Sequence, residues 1–494
     1  MTTLLAPFYP IIYVRGYAMT PSEIADATSS PYMGFNLGST KVRQSWDKQV
    51  IRHVFESPLI RLMKDYGYRD TFADGAELRD QLPAKSLVIY RYYDAADRDF
   101  GTGTPLSIPD AAKGLKDLIH SLRDQLCAGN TQQRKQFKVH LVGHSMGGLV
   151  IRAFLQNDKI STKADRELVD KVFTYATPHN GIELAGINVP GILGVWDMNN
   201  FNHGKMAEYL GFKNKPERVD SLNNKFDPQR FFCFVGTNHR DYEAAMGLSR
   251  RLAGEMSDGL VKIENATVSG APRAFAFRSH SGPYGVVNSE EGYQNLVRFL
   301  FGDMRVDGQL HVRALPLPPS VQKAKDEGRQ IRASYYFEAT VAPRGAFDYR
   351  LTERRRNTFS AVLRSYDELL NVQQLGLSEA RHPTLFSLFL DTRKITAGRT
   401  VVVALELAVS ATGYTIERKL WPDQHVEGEY LFRDTLTLRI TRSTSGFNVR
   451  YVNTDERWSE SQGTLATATP EGYVIPLSST KGFNADLILT VQMR

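Results

Sequence analysis

Cysteine is almost missing from the chain: 494 residues contain two, Cys127 and Cys233, with no CxxC spacing. A disulfide framework and a thiolate-rich metal site are therefore excluded, and both residues read as buried free thiols. Long apolar runs are also missing: no stretch reaches the ~18 uninterrupted apolar residues that a membrane-spanning helix needs. Met1 to Pro10 lacks the basic start and apolar core of a secretory leader. The expectation is a cytoplasmic protein, or one exported by a signal-independent route. Charge of one sign is not concentrated. Against 54 Asp and Glu stand 61 Lys and Arg, a net +7, and the longest basic tract is Arg354, Arg355, Arg356. That is too diffuse to indicate a nucleic-acid partner. No fixed-period repeat is evident, which demotes solenoids and propellers. What remains is ordinary globular material, 42% hydrophobic and 23% charged, in a length that suits two or three domains.

From the start to about Asp303, short apolar runs alternate with helical patterns, the signature of a mainly parallel sheet flanked by helices. Pro10–Val14, Ser86–Tyr90, Phe137–Val142, Lys171–Tyr175, Arg230–Val235 and Arg273–Phe277 read as strands. Leu115, Leu118, Ile119, Leu122 and Leu126 recur at helical spacing behind a Ser107-x-x-Asp110 capping box. Tyr293, Leu296, Val297 and Leu300 mark a second helix, with Asn288-x-x-Glu291 as its expected cap. After a Pro-rich hinge at 311–319 the pattern changes to strands separated by turn residues, and residues 320–494 read as a β-sandwich. Its expected strands include Ser334–Val341, Thr358–Leu363, Thr384–Leu390 and Thr400–Leu407. The domains are thus 1–310, with an insertion at about 181–227, and 320–494.

The informative run is Phe137-Lys-Val-His-Leu-Val-Gly-His-Ser-Met-Gly-Gly-Leu-Val150, in which a strand passes through Gly143-x-Ser145-x-Gly147 directly into a helix. The pentapeptide alone is a weak signal, and the strand-turn-helix context makes it specific. A sharp turn there projects the serine hydroxyl, and glycines two positions either side let strand and helix approach. Ser145 is the candidate nucleophile. The backbone N–H of Met146, just after it, is a candidate donor to a developing oxyanion.

These residues resemble the α/β-hydrolase superfamily, especially bacterial lipases and the acyl-inositol-deacylase-like group, over about residues 8–303. Three further segments carry the resemblance: Tyr175-Ala-Thr-Pro-His-Asn-Gly181, Ser257-Asp-Gly-Leu-Val261 and Arg278-Ser-His-Ser-Gly282. It implies an α/β-hydrolase fold and a triad of Ser145, Asp258 and His280, in the chain order of that fold. It also implies that Tyr17 supplies the second oxyanion N–H, in a loop where Arg15 stands in place of the usual histidine. Asp241 remains the rival acid because it lies closer to the Arg230–Val235 strand end. His144, His179 and His239 are the rival histidines. The insertion carries Ile187, Val189, Ile192, Leu193, Val195, Trp196, Met198 and Phe201 near its start, and reads equally as a mobile lid or a fixed cap.

The expected function is a serine hydrolase of carboxylic esters, a lipase or phospholipase acting on acyl lipids through an acyl-enzyme, with no cofactor and no metal. One alternative is a signal-independent phospholipase effector used between bacteria. Another is a catalytically silent scaffold used for binding. The C-terminal domain is expected either to stabilise the chain or to contact a lipid surface through Arg354, Arg355 and Arg356.

Overall fold

A computed structural model describes residues 4–16, 39–44, 50–55, 57–73, 76–77, 82–96, 101–184, 187–188, 198–214, 216–241, 254–282, 284–346, 349–370, 381–394, 400–418, 422–444, 446–454 and 463–494. The chain divides into two compact units, the first comprising Met1–Arg273 and Phe277–Phe301, the second Ala274–Ala276 and Gly302–Arg494.

Seven strands form the central sheet around which the first unit is built: β1 (Ile11–Val14), β2 (Arg69–Asp70), β3 (Ser86–Ile89), β4 (Val139–His144), β5 (Val169–Tyr175), β6 (Phe231–Gly236) and β7 (Arg273–Ala276). Across the sheet they run β7-β6-β5-β4-β1-β3-β2. The pairs β2·β3, β1·β3, β1·β4, β4·β5 and β5·β6 are all parallel. Parallel strands flanked by helices have no face for water, which is why β1, β4 and β6 are buried at every position and read as apolar runs. The six strands expected from the sequence are all present. β2 is the addition, two residues too short to show a period.

The helices include α1 (Pro58–Tyr66), α2 (Ile108–Leu126), α3 (Met146–Gln156) and α4 (Glu290–Phe301). At the start of α2 the Ser107 Oγ accepts from the Asp110 N–H at 3.2 Å, and Pro109 lies in the first turn, where its missing N–H costs nothing. Ala111, Leu115, Ile119 and Leu122 line its buried face, which packs on α3. Each such leucine or isoleucine contributes roughly 1.5–3 kcal/mol. At α4 the cap differs from expectation. Ser289, not Asn288, accepts from the Gly292 N–H at 3.0 Å, while Asn288 Nδ2 donates to the Gly282 carbonyl. A hydroxyl one residue nearer the helix reaches the open N–H groups that Asn288 leaves behind.

Within the second unit, two antiparallel sheets share one core. The smaller runs Thr384–Leu390, Met304–Ala314, Asn484–Met493, Gly472–Ser478 and Thr467–Thr469; the larger is centred on Ile331–Pro343, Thr400–Ile416 and Tyr430–Ser443. Val306, Leu310, Leu487 and Leu489 from the first meet Tyr335, Phe337, Leu405 and Leu438 from the second. This is a β-sandwich.

The unit's continuous part starts at Gly302, earlier than residue 320, because Met304–Ala314 is a strand whose residues alternate in burial. Pro319 is the first residue of a helix, Pro319–Asp326, so only the residues between 314 and 319 connect the strand to it. The expected strand Thr358–Leu363 is replaced by a 3-10 turn at Arg356–Thr358 and a short strand at Val362–Ser365. Thr358 Oγ1 donates to the Arg355 carbonyl and Ser360 Oγ accepts from the Arg355 N–H, so side chains take the backbone groups a ladder would use.

Candidate active site

β4 ends at His144, and the chain turns into α3 through Ser145, whose φ of 53° and ψ of −127° lie outside the usual regions for a residue with a Cβ. Such a conformation costs of order 1–3 kcal/mol and must be held by its surroundings. Glycines make it possible. A Cβ on Gly143 would stand 2.9 Å from the Gly148 backbone, one on Gly147 would stand 2.0 Å from the Val14 carbonyl oxygen, and one on Gly148 would strike Thr177. Gly143 therefore admits the helix to the strand, while Gly147 admits the loop after β1. That loop brings Gly16 against the turn: a Cβ there would lie 2.4 Å from Ser145 Cβ and 3.0 Å from the Met146 nitrogen. Serine at a helix start normally caps it, but Ser145 makes no side-chain cap and its hydroxyl is turned elsewhere.

That hydroxyl lies 2.9 Å from His280 Nε2. On the far side of the ring, His280 Nδ1 is 2.9 Å from Asp258 Oδ2. Ser145, Asp258 and His280 are 8%, 1% and 3% exposed, so all three are largely shielded from water. Asp258 Oδ1 accepts from the N–H groups of Leu260 and Val261 at 3.0 and 2.8 Å, and the His280 N–H donates to the Asp258 carbonyl at 3.0 Å. The carboxylate is thereby fixed by its own turn, which explains why Asp-Gly-Leu-Val is the useful sequence there. Since the carboxylate accepts at Nδ1, the ring carries its proton on that side and presents the Nε2 lone pair to the serine.

The rival residues have other partners. Asp241 is half-buried and accepts from Asn238 Nδ2 at 2.8 Å. His179 is fully buried, with Nε2 3.1 Å from Thr174 Oγ1, and burial pushes its pKa well below the ordinary histidine value. His239 follows β6 and is not the ring at Ser145. His144 Nε2 donates to the His280 carbonyl at 3.0 Å, and the two rings lie 5.3 Å apart. Burial, then His280, lowers its pKa to about 3, so it is a neutral donor. Tyr17 lies outside the described residues. Met146 opens α3, where the first N–H groups have no intrahelical acceptor and form the positive end of the helix dipole.

Two features were not anticipated from the sequence. Gly16 is legible afterwards as the glycine just past β1. Arg152 is not: wholly buried in α3, it donates to Gln156 Oε1 and to the carbonyls of His179, Val219 and Ser221, at 2.6 to 2.8 Å. It ties α3 to the loop after β5 and to the returning end of the insertion. Phe201, Met206, Tyr209, Leu210, Val219 and Leu222 in that part are buried. Val189, Ile192, Leu193, Val195 and Trp196 lie outside the described residues. Among the described residues no three His, Cys, Asp or Glu side chains are grouped to hold a metal ion, and no helix is long and apolar enough to cross a membrane. Cys127 and Cys233 are buried free thiols.

Residues 10–186 match the family model of the PGAP1-like alpha/beta domain. No curated protein matches the chain. Among solved structures, phospholipase PlaB from Legionella pneumophila is 13% identical, with 81% of this chain and 86% of that one covered and a TM-score of 0.33. A gene product of Listeria innocua is 13% identical over 59% and 93%, with a TM-score of 0.27. Lipase B from Aspergillus fumigatus is 12% identical over 59% and 52%, with a TM-score of 0.29. With the matched segment, the parallel sheet and the strand-turn-helix at Ser145 taken together, the first unit has the α/β-hydrolase fold.

Proposed function

We propose that the first unit is a serine hydrolase of carboxylic esters that acts on acyl lipids through an acyl-enzyme. The observation that carries this reading is the continuous relay from Ser145 Oγ through His280 to Asp258, 2.9 Å at each step. Ser145 Oγ attacks the acyl carbon while its proton passes to His280 Nε2, and Asp258 stabilises the imidazolium that forms. The oxyanion is received by the Met146 N–H and, by resemblance, the Tyr17 N–H. Collapse breaks the ester bond, and the alcohol leaves with the proton from Nε2. Water then attacks the acyl-enzyme by the same route, and the carboxylic acid departs.

The preference for acyl lipids rests on the resemblance of the Thr-Pro-His and Asp-Gly-Leu-Val segments to those of lipases. The test is hydrolysis of p-nitrophenyl esters of increasing chain length beside phospholipid vesicles, with a fluorophosphonate probe as the label. Labelling confined to Ser145, with activity that Ser145→Ala abolishes, supports the reading. A folded protein that neither labels nor hydrolyses any ester supports the silent scaffold instead.

A further inference from the structure

The larger sheet of the second unit turns its outer face into a trough of about 1390 Å³. Period-two alternation builds its floor. Tyr335, Phe337 and Ala339 face the core, so Tyr336, Glu338 and Thr340 face outward, beside Glu406 and Ala408 on the next strand and Arg433 and Thr435 on the one after. Arg355, Arg356 and Asn357 form one wall; Thr454 and Ser478 to Thr480 contribute the hydroxyl groups of another.

Among the described residues, three arginines and three acids line this trough, and those acids are engaged from within. Glu338 accepts from the Tyr430 hydroxyl at 3.2 Å and from the Arg356 N–H at 3.3 Å. Glu406 is paired with Arg355, which also meets Glu353 at 3.2 Å. Asp434 Oδ1 accepts from the N–H groups of Thr435 and Thr454 at 2.7 and 3.2 Å. What remains uncommitted is cationic. The guanidinium of Arg356 lies 5.1 Å from the Tyr336 ring centre and that of Arg433 lies 5.9 Å from the Tyr430 ring centre; both residues are exposed, and neither makes an ion pair with a described carboxylate. Burial first, then Glu338, pushes the Tyr430 hydroxyl above its ordinary range, while Arg433 and Arg356 both pull the other way. Both cations line the same trough as that hydroxyl. Held against tyrosine rings, they lose little freedom on meeting an anion, and a guanidinium fork matches phosphate oxygens.

We propose that this trough binds a phosphate ester, with Arg356 and Arg433 gripping the phosphate beside Tyr430 and the threonine and serine hydroxyls receiving the hydroxylated group that carries it. A bare ion would fill a small part of such a volume, and the hydroxyl-rich wall suits a polyol better than an acyl chain. The site requires nothing of Ser145, so it stands or falls apart from the hydrolase reading.

Calorimetric titration of the full chain with sn-glycerol 3-phosphate and with glycerol tests it, together with sedimentation on vesicles of phosphatidylglycerol or of phosphatidylcholine. Binding of glycerol 3-phosphate without binding of glycerol is expected, and Arg356→Gln with Arg433→Gln should weaken it by about tenfold or more. The paired lysine substitutions, which keep both charges, should retain most of it and guard against a folding artefact. Retention on phosphatidylglycerol vesicles that the double glutamine variant loses identifies the ester as a lipid headgroup; binding of the soluble ester alone identifies a free metabolite. Failure of the wild type to bind either probe, or equal binding by a folded double glutamine variant, overturns the proposal.

Discussion

His144 donates through Nε2 to the backbone carbonyl of His280 at 3.0 Å, so the residue just before Ser145 holds the loop that carries the histidine opposite it. Replacing that donor with His144→Phe should lower kcat about tenfold with KM little changed, the worth of one buried hydrogen bond. His144→Gln, which keeps an N–H donor, should recover much of the loss. Unchanged kcat in the phenylalanine variant would show that the His280 loop holds its place without this bond.

Asp258→Asn should cut turnover by several orders of magnitude, because an amide cannot hold the same histidine tautomer. Asp241→Asn should leave ester hydrolysis within about threefold of wild type, since Asp241 is engaged with Asn238. The reverse pattern would transfer the acid's role to Asp241.

Gly16→Ala should abolish activity out of proportion to one methyl group. Its Cβ would stand 2.4 Å from Ser145 Cβ, and the clash involves atoms close to the backbone of the turn, which has little room to yield. The measurement is fluorophosphonate labelling of Ser145 alongside circular dichroism; normal labelling would mean that the loop moves aside cheaply.

Arg152→Met should destabilise the first unit by about 3–5 kcal/mol, since the carbonyls of His179, Val219 and Ser221 would lose their buried donors. Thermal unfolding reads this directly. A melting temperature equal to wild type would mean that other donors replace the guanidinium.

Acid should unfold the first unit through His144 and His179. Both have pKa values depressed in the fold, to about 3 for His144, against 6.5 when unfolded, so the unfolded chain binds protons that the folded chain refuses. Their contribution is complete above about pH 6.5 and is lost as the pH falls toward the folded values, at up to about 1.4 kcal/mol per pH unit for each histidine. Urea unfolding between pH 7 and 4 should show this slope, and His144→Gln should flatten it by about one proton. An unchanged slope would mean that His144 is not the group that titrates.

Much of the first unit was legible in advance because parallel strands buried on both sides leave continuous apolar runs, and glycine marks the turn at Ser145. Asp258 and His280 were legible through local segments, the Asp-Gly-Leu-Val turn above all, whose N–H groups hold the carboxylate. Partnerships across more than a hundred residues, such as His144 with His280, leave no local trace. The strand Met304–Ala314 was missed for a different reason. Its run of inward apolar side chains is interrupted at Gly308, which is itself buried: a Cβ there would lie 2.4 Å from the ring of Phe386 on the paired strand, so an aromatic partner occupies the space of the absent side chain. The Pro-rich segment beyond it then drew the boundary too late.

The serine and the histidine of the proposed relay lie 135 residues apart in the chain, with the serine made first and its histidine last. A ribosome therefore releases the nucleophile well before the base and acid that would activate it, and the hydroxyl of a half-made chain is no more reactive than any other serine. On this reading an enzyme able to cleave acyl lipids remains inert during its own synthesis, and becomes hydrolytic only once the segment through His280 has emerged and β7 has joined the sheet.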